Sequence, residues 1–147
     1  VYVKVGQEGG KGGRVGRGEK GQAVAECRAQ HPKVETINYC GLPTDPDYKT
    51  AQKYLPHGSC GGVCFELKGG REAAGDGRRE RKLAAIETHV ADARTCCLSP
   101  ASTTHRQMTD EQLKAAGVPA GLIRLSCGLE NKEDLIADLT NALEAIR

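Results

Sequence analysis

The stretch GLIRLSCGLE, residues 121–130, decides how the fold is interpreted. Leu122, Ile123 and Leu125 are the apolar residues of a buried β-strand. Arg124 interrupts them, although a guanidinium is almost never fully buried without a partner. Its charged end could reach water, pair with an acid of the chain such as Glu130, or bind a carboxylate that arrives from outside. The isolated residue leaves these alternatives open.

Two capped helices flank this strand. The segment NKEDLIADLTNALEAIR predicts an amphipathic helix capped by Asn131. Its expected apolar face consists of Leu135, Ile136, Leu139, Leu143 and Ile146. The segment TDEQLKAAG predicts a short helix with a capping box of Thr109 and Gln112, which ends at Gly117.

Three segments upstream predict further strands. The segment GGVCFELKGG at 61–70 alternates, and its apolar side is expected to carry Val63, Phe65 and Leu67. VETINY at 34–39 and ARTCCL at 93–98 are the other candidates. The strands and helices alternate irregularly, and the helices are able to cover one sheet face. We therefore predict an α+β fold, a small mostly antiparallel sheet with helices packed on one side.

Three upstream segments predict helices with weaker patterns. QAVAECRAQ at 22–30 suits a helix that ends before Pro32. A second helix is expected to follow Asp45 as N-cap, with Pro46 at its first position. The charged segment 71–90 suggests a helix that its Gly-Asp-Gly sequence interrupts.

Residues 1–21 differ from the rest and are predicted to be a Gly-rich, basic, flexible or degraded segment, so the domain is assigned to 22–147. Residues 16–21 match GxGxxG, but no strand leads into them, which argues against a dinucleotide site. Basic residues spaced by glycines also suit an arm that binds nucleic-acid backbone. The absence of interleaved aromatics, together with Glu8 and Glu19, argues against nucleic-acid binding.

Composition excludes several classes of protein. The 147 residues carry a formal charge of +2 and are 38% apolar and 3% aromatic, so a core must be built mainly from aliphatic residues. No apolar run approaches the ~18 residues of a membrane span, so no membrane contact and a cytoplasmic location are expected. The seven cysteines are predicted to be mostly free thiols.

The polar clusters give weak signals by themselves. Cys60 with Cys64, and adjacent Cys96 with Cys97, lack the two closely spaced pairs of a zinc site, so no metal site is predicted. The run Ser102-Thr-Thr-His105 contains hydroxyls and a histidine, but no acidic residue lies at a position that would indicate nucleophilic catalysis.

Longer motifs resemble a known family. The segments are QAVAECRAQHPKVE, INYCGLPTDPDYKTAQKYLP, GGVCFELKGGREAA and SPASTTHRQMTDEQLKAAGVPAGLIRLSCGLENKEDLIADLTNAL. In order and nearly without gaps, they resemble the C-terminal part of the Cys/Met-metabolism family of pyridoxal-phosphate enzymes, with O-acetylhomoserine sulfhydrylase as the nearest branch. The resemblance covers roughly residues 22–147 and implies the C-terminal domain of a fold-type I enzyme.

The resemblance also implies roles for single residues. Arg124 would bind the α-carboxylate of the amino-acid substrate, because its planar guanidinium can form two parallel hydrogen bonds with a carboxylate. His89 matches a position near that carboxylate, where relatives have Asn or Ser. Ser102, Thr103 and Thr104 would shape the adjacent substrate loop. The implied substrate is O-acetylhomoserine-like, and the full enzyme replaces its acetate with a sulfur nucleophile in methionine or cysteine biosynthesis.

The implied cofactor is pyridoxal phosphate, bound by a large domain that this chain lacks. No Ser-x-Thr-Lys motif is present to supply the cofactor lysine. We therefore predict no catalytic or cofactor-binding residue here, no turnover by the chain alone, and a pyridoxal-phosphate-binding large domain or a homo-oligomer as partner. The alternative is a truncated, non-catalytic relative that serves as an interaction or structural subunit with the basic arm.

Departures from the family pattern predict marginal stability. Relatives carry Phe, Ile and Leu at the positions of Gly77, Arg78 and Arg81, and each lost core side chain costs about 2–5 kcal/mol.

Overall fold

The computed structural model describes residues 2–79, 82–87 and 92–146. The strands are β1 (Val34–Asn38), β2 (Gly62–Leu67), β3 (Ala85–Ile86), β4 (Cys96–Leu98) and β5 (Leu122–Ser126). The α-helices are α1 (Tyr2–Ala29), α2 (Tyr48–Tyr54), α3 (Gly70–Arg79), α4 (Asp110–Ala115) and α5 (Lys132–Glu144). A 3-10 turn, Pro100–Ser102, follows β4.

The strands form one five-stranded sheet in the order β1-β2-β5-β4-β3. The pairs β1–β2, β2–β5 and β4–β5 are antiparallel, and only β3 pairs in parallel with β4. The predicted α+β fold with a mostly antiparallel sheet is therefore confirmed. Strand β5, which carries Arg124, lies in the centre of the sheet between β2 and β4.

The core lies between one sheet face and helices α1, α3 and α5. The β2 strand alternates as predicted, with Val63, Phe65 and Leu67 at most 3% exposed. These side chains join a cluster with β5 and α5 residues that includes Ile123, Leu125, Leu135, Leu139 and Leu143. The predicted apolar face of α5 is confirmed, because Ile146 is also buried and Ile136 packs against the same cluster.

The helix caps near β5 are also confirmed. The Thr109 hydroxyl accepts a bond from the Gln112 backbone N–H at 3.3 Å, and the Gln112 side chain accepts one from the Thr109 N–H at 2.9 Å. Gly117 follows α4 with a φ of +71°, which glycine adopts at little cost. Asn131 caps α5 by accepting from the N–H groups of Glu133 and Asp134.

The loop predicted over residues 1–21 is corrected, because α1 runs from Tyr2 to Ala29. Glycine disfavours a helix by about 1 kcal/mol per residue relative to alanine, which motivated the loop prediction. In α1 the glycines permit close packing instead. A Cβ on Gly18 would lie 2.7 Å from the Ser59 carbonyl oxygen, and one on Gly21 would lie 2.7 Å from that of Cys60. Assignment of the domain to 22–147 stays a prediction.

The start of α2 is also corrected. The helix begins at Tyr48 with Asp47 as N-cap, so Asp45 is not the cap and Pro46 precedes the helix. The Asp45 carboxylate accepts bonds from the N–H groups of Tyr39 and Asp47, both at 2.9 Å. An Asp that binds nearby backbone in this way makes a turn.

The Gly-Asp-Gly sequence predicted to interrupt a helix lies inside α3. Gly77 faces the core, where an added Cβ would approach the Ile146 Cδ1 atom at 2.9 Å. Arg81 lies outside the described residues.

Two further predictions concern the state of the cysteines and the presence of membrane-spanning helices. All seven cysteines are free thiols, as predicted, and Cys96, Cys97 and Cys127 are buried. Within the described ranges, no helix combines the length and apolar character that a membrane crossing needs.

Candidate functional site

Arg124 belongs to a row of side chains that crosses the sheet. It lies opposite Cys64 of β2 on one side and Leu98 of β4 on the other. Cys64 in turn lies opposite Asn38 of β1. Directly opposed residues share a face of the sheet, and neighbours along a strand point to opposite faces. Because Ile123 packs into the core beneath the helices, the row lies on the other face.

The row combines the Arg124 guanidinium with a thiol and an apolar side chain. Arg124 and Cys64 are half-buried, and Leu98 is 3% exposed. Burial raises the pKa of the Cys64 thiol, and the Arg124 charge opposes that rise only in part. The thiol is therefore neutral at physiological pH. A partly desolvated guanidinium between apolar and neutral neighbours is suited to an anionic group, because low polarity strengthens charge-assisted hydrogen bonds.

Glu130, the acid considered as a partner of Arg124, accepts hydrogen bonds from Thr95, the residue immediately before β4. One carboxylate oxygen accepts from the Thr95 N–H at 2.6 Å, and the other accepts from the Thr95 hydroxyl at 2.7 Å. The same hydroxyl accepts from the Gly128 N–H at 2.9 Å. Thr95 is fully buried. These bonds fix the end of β5 against the start of β4.

The polar loop predicted to shape the site begins one residue after Leu98. The Ser102 and Thr103 hydroxyls both donate to the Ser99 carbonyl, at 3.2 and 2.7 Å. Thr104 is exposed and its hydroxyl contacts the His105 Nδ1 at 2.8 Å. Two of the three predicted loop residues therefore hold the 3-10 turn in shape. That turn packs against β5, the strand of Arg124.

Arg71 at the start of α3 holds both ends of this loop, a role that the sequence analysis missed. Its Nη1 donates to the Ala101 carbonyl, and its Nη2 donates to the Met108 carbonyl at 3.1 Å. Its Nε and Nη2 also bond one oxygen of Asp110, at 3.0 and 2.7 Å. No local pattern marks this role, because the partners lie 30–39 residues away in sequence.

We expect Arg71→Gln to loosen the loop while leaving the sheet intact. The shorter amide cannot span two carbonyls and a carboxylate, so amide hydrogen exchange should accelerate at residues 101–108. Arg71 is partly exposed, so the free energy of unfolding should fall by only about 1–2 kcal/mol. Arg106→Gln, at an exposed position of the same loop, is the matched control. Equal exchange rates in both variants would contradict the role of Arg71.

His89 lies outside the described residues, so its predicted place beside the carboxylate stays a prediction. Near it in sequence, ligand atoms of Glu87, Asp92 and Cys96 lie within 4.8 Å of one another. Burial and the nearby carboxylates raise the pKa of the Cys96 thiol. Glu87 and Asp92 are exposed, and exposed acidic groups are common without a metal ion.

The described residues do not fit pyridoxal phosphate as a binding site of their own. None of the five strands contains a lysine that could reach the Arg124 face. Lys33 Nζ donates to the carbonyls of Leu143, Glu144 and Ile146 at the end of α5. Lys68 Nζ donates to the Pro32 carbonyl.

Comparison with known proteins gives one consistent family. The family model described as Cys/Met metabolism PLP-dependent enzyme matches residues 14–144. An O-acetyl-L-homoserine sulfhydrylase from Leptospira meyeri is 44% identical over 124 residues, covering 84% of this chain and 28% of that protein. An L-methionine gamma-lyase from Fusobacterium nucleatum subsp. polymorphum is 43% identical over 123 residues, covering 84% of this chain and 31% of that protein.

A solved structure has the same fold. It is an O-acetylhomoserine (thiol)-lyase from Campylobacter jejuni that carries an N'-pyridoxyl-lysine-5'-monophosphate, with a TM-score of 0.81 and 34% identity. The match covers 89% of this chain and 31% of that one. The chain therefore spans under a third of the length of these relatives.

Proposed function

The chain belongs to the Cys/Met metabolism family of pyridoxal-phosphate-dependent enzymes, and we propose that it is the C-terminal, substrate-binding domain of an O-acetylhomoserine sulfhydrylase-type enzyme. In this proposal Arg124 binds the α-carboxylate of the substrate. The cofactor, which supplies the electron sink for breaking the bond to the acetate, is held by a large domain. The domain binds and orients the substrate but does not turn it over alone.

The observation that carries the proposal is the position of Arg124 on the sheet face away from the helices. The residues directly opposite Arg124 in the row are Cys64 of β2 and Leu98 of β4. A planar guanidinium in such surroundings can bind a carboxylate through two parallel hydrogen bonds. Arg71 and the loop hydroxyls would position the loop whose 3-10 turn packs against β5.

A second surface supports the expected protein partner. A groove runs between α1, the segment after α2 and the turn before α5. Four of the exposed large hydrophobic residues line it, namely Val15, Tyr54, Leu55 and Leu129. Apolar residues gathered in one groove are typical of a surface that another domain or subunit covers. We propose the large pyridoxal-phosphate-binding domain as that partner, in a cytoplasmic enzyme consistent with seven free thiols.

A segment exchange tests the function. The matched segment of the Leptospira meyeri relative is replaced by residues 22–147, and formation of homocysteine from O-acetylhomoserine and sulfide is measured. We expect the chimera to be active and the relative without the segment to be inactive. A folded, pyridoxal-phosphate-loaded chimera without activity would contradict the proposal.

The alternative of a non-catalytic subunit with a basic arm has its own measurement. The full chain and residues 22–147 are compared for binding to single-stranded DNA at two salt concentrations. Salt-dependent binding lost on removing residues 1–21, together with an inactive chimera, would favour that alternative.

A further inference from the structure

The groove between α1, the segment after α2 and the turn before α5 is large enough for a helix. It is lined by one side of α1, by residues 54–60 and by residues 129–133, and its volume is about 1340 Å³. Small-molecule pockets are typically about 300–1,000 Å³, so the groove exceeds what a single metabolite needs. An α-helix is about 10 Å across, and about three of its turns would fill that volume.

One wall of the groove is a stripe along α1. Val15, Glu19, Gln22 and Glu26 line it at spacings of four, three and four residues. Residues at these spacings share one side of a helix, and such sides are the ones on which helices pack against each other. Val15 is 54% exposed, and Glu19 and Glu26 are exposed as well. The fully buried Val24 lies on the opposite side of α1, so the stripe faces away from the core.

The other walls present apolar side chains on a fixed backbone. Tyr54, Leu55 and Leu129 are 68, 46 and 52% exposed. The Leu55 N–H donates to the Ala51 carbonyl, and the Leu129 N–H donates to the Ala93 carbonyl, both at 2.7 Å. A surface that is already ordered loses little entropy when a partner binds. An open groove with apolar side chains on fixed walls is the surface that an amphipathic helix recognises.

The charges in the groove narrow the chemistry of that helix. Four carboxylates line the groove, against two lysines and His57. One of the lysines, Lys132, is 3.6 Å from the Glu133 carboxylate, which offsets its charge. Glu19 and Glu26 lie on the exposed stripe of α1 and face the groove. Basic residues beside the apolar side of the helix would complement these acids.

We propose that the groove binds an amphipathic α-helix of about three turns from the large pyridoxal-phosphate-binding domain. Its apolar side packs against Tyr54, Leu55 and Leu129, and its lysine or arginine residues lie beside Glu19 and Glu26. This inference rests on the proposed function. The chain covers 28–31% of its relatives, and the helix belongs to the part of them that the chain does not match.

The test uses a chimera of the Leptospira meyeri relative that carries residues 14–147, a range that includes the whole groove. Cys60 is an exposed thiol in the groove and reports whether the groove is covered. Its alkylation by iodoacetamide, followed by peptide mass spectrometry, should be about tenfold slower or more in the chimera than in the isolated chain. A covered thiol reacts only while the groove is open. A thiol-to-amine cross-linker on Cys60 should join it to a lysine in a helix of the large domain.

Variants of the chimera test the two kinds of contact. Leu129→Ser should make Cys60 react about five- to tenfold faster, because burying the exposed part of a leucine stabilises the covered state by about that factor. Glu19→Lys combined with Glu26→Lys should also accelerate it, most at low ionic strength. Ile86→Ser and Glu35→Lys make the same kinds of change at exposed positions outside the groove and should leave the rate unaltered.

Equal reactivity of Cys60 in the isolated chain and in an active chimera would overturn the helix site and leave the proposed function standing. Unchanged reactivity in Leu129→Ser would also overturn the helix site, as would cross-links only to a second copy of the chain or to a non-helical segment. An inactive chimera in which Cys60 is protected, and in which Leu129→Ser removes that protection, would support the helix site and contradict the proposed function.

Discussion

Replacing Arg124 by lysine in the chimera is expected to raise the KM for O-acetylhomoserine about ten- to a hundredfold. A hydrogen bond to a charged group is worth about 1.5–3 kcal/mol, and each 1.4 kcal/mol is a factor of ten. Lysine keeps the positive charge, but its compact ammonium group cannot form the two parallel hydrogen bonds that a planar guanidinium makes with a carboxylate. Because the carboxylate is bound throughout the reaction, KM should change more than kcat.

A substrate analogue separates this role from a structural one. 3-Aminopropyl acetate is O-acetylhomoserine without its carboxylate, so its inhibition constant should be the same for the parent chimera and for Arg124→Lys. Arg94→Lys makes the same change at an exposed position and should leave both constants unaltered. The carboxylate role is wrong if Arg124→Lys leaves the KM for O-acetylhomoserine unchanged. It is also wrong if the substitution weakens binding of 3-aminopropyl acetate as much as binding of O-acetylhomoserine.

The parts of the fold that the sequence predicted are those that local patterns determine. Strand β2 alternates with period two, and α5 carries an apolar stripe, because each buries one side against the same core. The caps at Thr109 and Asn131 depend on residues three positions apart or fewer, so they are visible in a short window. Arg124 is recognisable for a related reason, because a charged residue that interrupts a short apolar strand pattern is visible in the local sequence.

The parts that the sequence did not predict depend on distant contacts. The glycines of α1 suggested a loop, but their close approach to the backbone at 59–60 is a tertiary contact that no window shows. Arg71 holds a loop that follows some 30 residues later. Arg28 fits a helix pattern as well as any exposed arginine would, and only the packing of α1 against α5 reveals that it is buried.

Substituting Gly128 with alanine is expected to lower the free energy of unfolding by about 3 kcal/mol or more, the upper end of the cost of overpacking. An added Cβ would lie 2.4 Å from the Ala93 carbonyl oxygen and 2.5 Å from backbone atoms of Arg94 and Thr95. Backbone cannot rotate aside as a flexible side chain does. The displacement would also break the bond from the Gly128 N–H to the Thr95 hydroxyl, to which Glu130 is bonded.

Gly75→Ala is the matched control because the same atom is added in open space. Apart from its chain neighbours and the backbone of its own helix, α3, no heavy atom of the described residues lies within 4 Å of the Cβ position at Gly75. Alanine there should raise the free energy of unfolding by about 0.5–1 kcal/mol through helix propensity. Urea unfolding of the two variants should thus shift the midpoint in opposite directions from the parent. A Gly128→Ala midpoint within error of the parent would mean that the segment after β5 can move away from residues 93–95. The end of the Arg124 strand would then be less firmly fixed than the bonds of Thr95 imply.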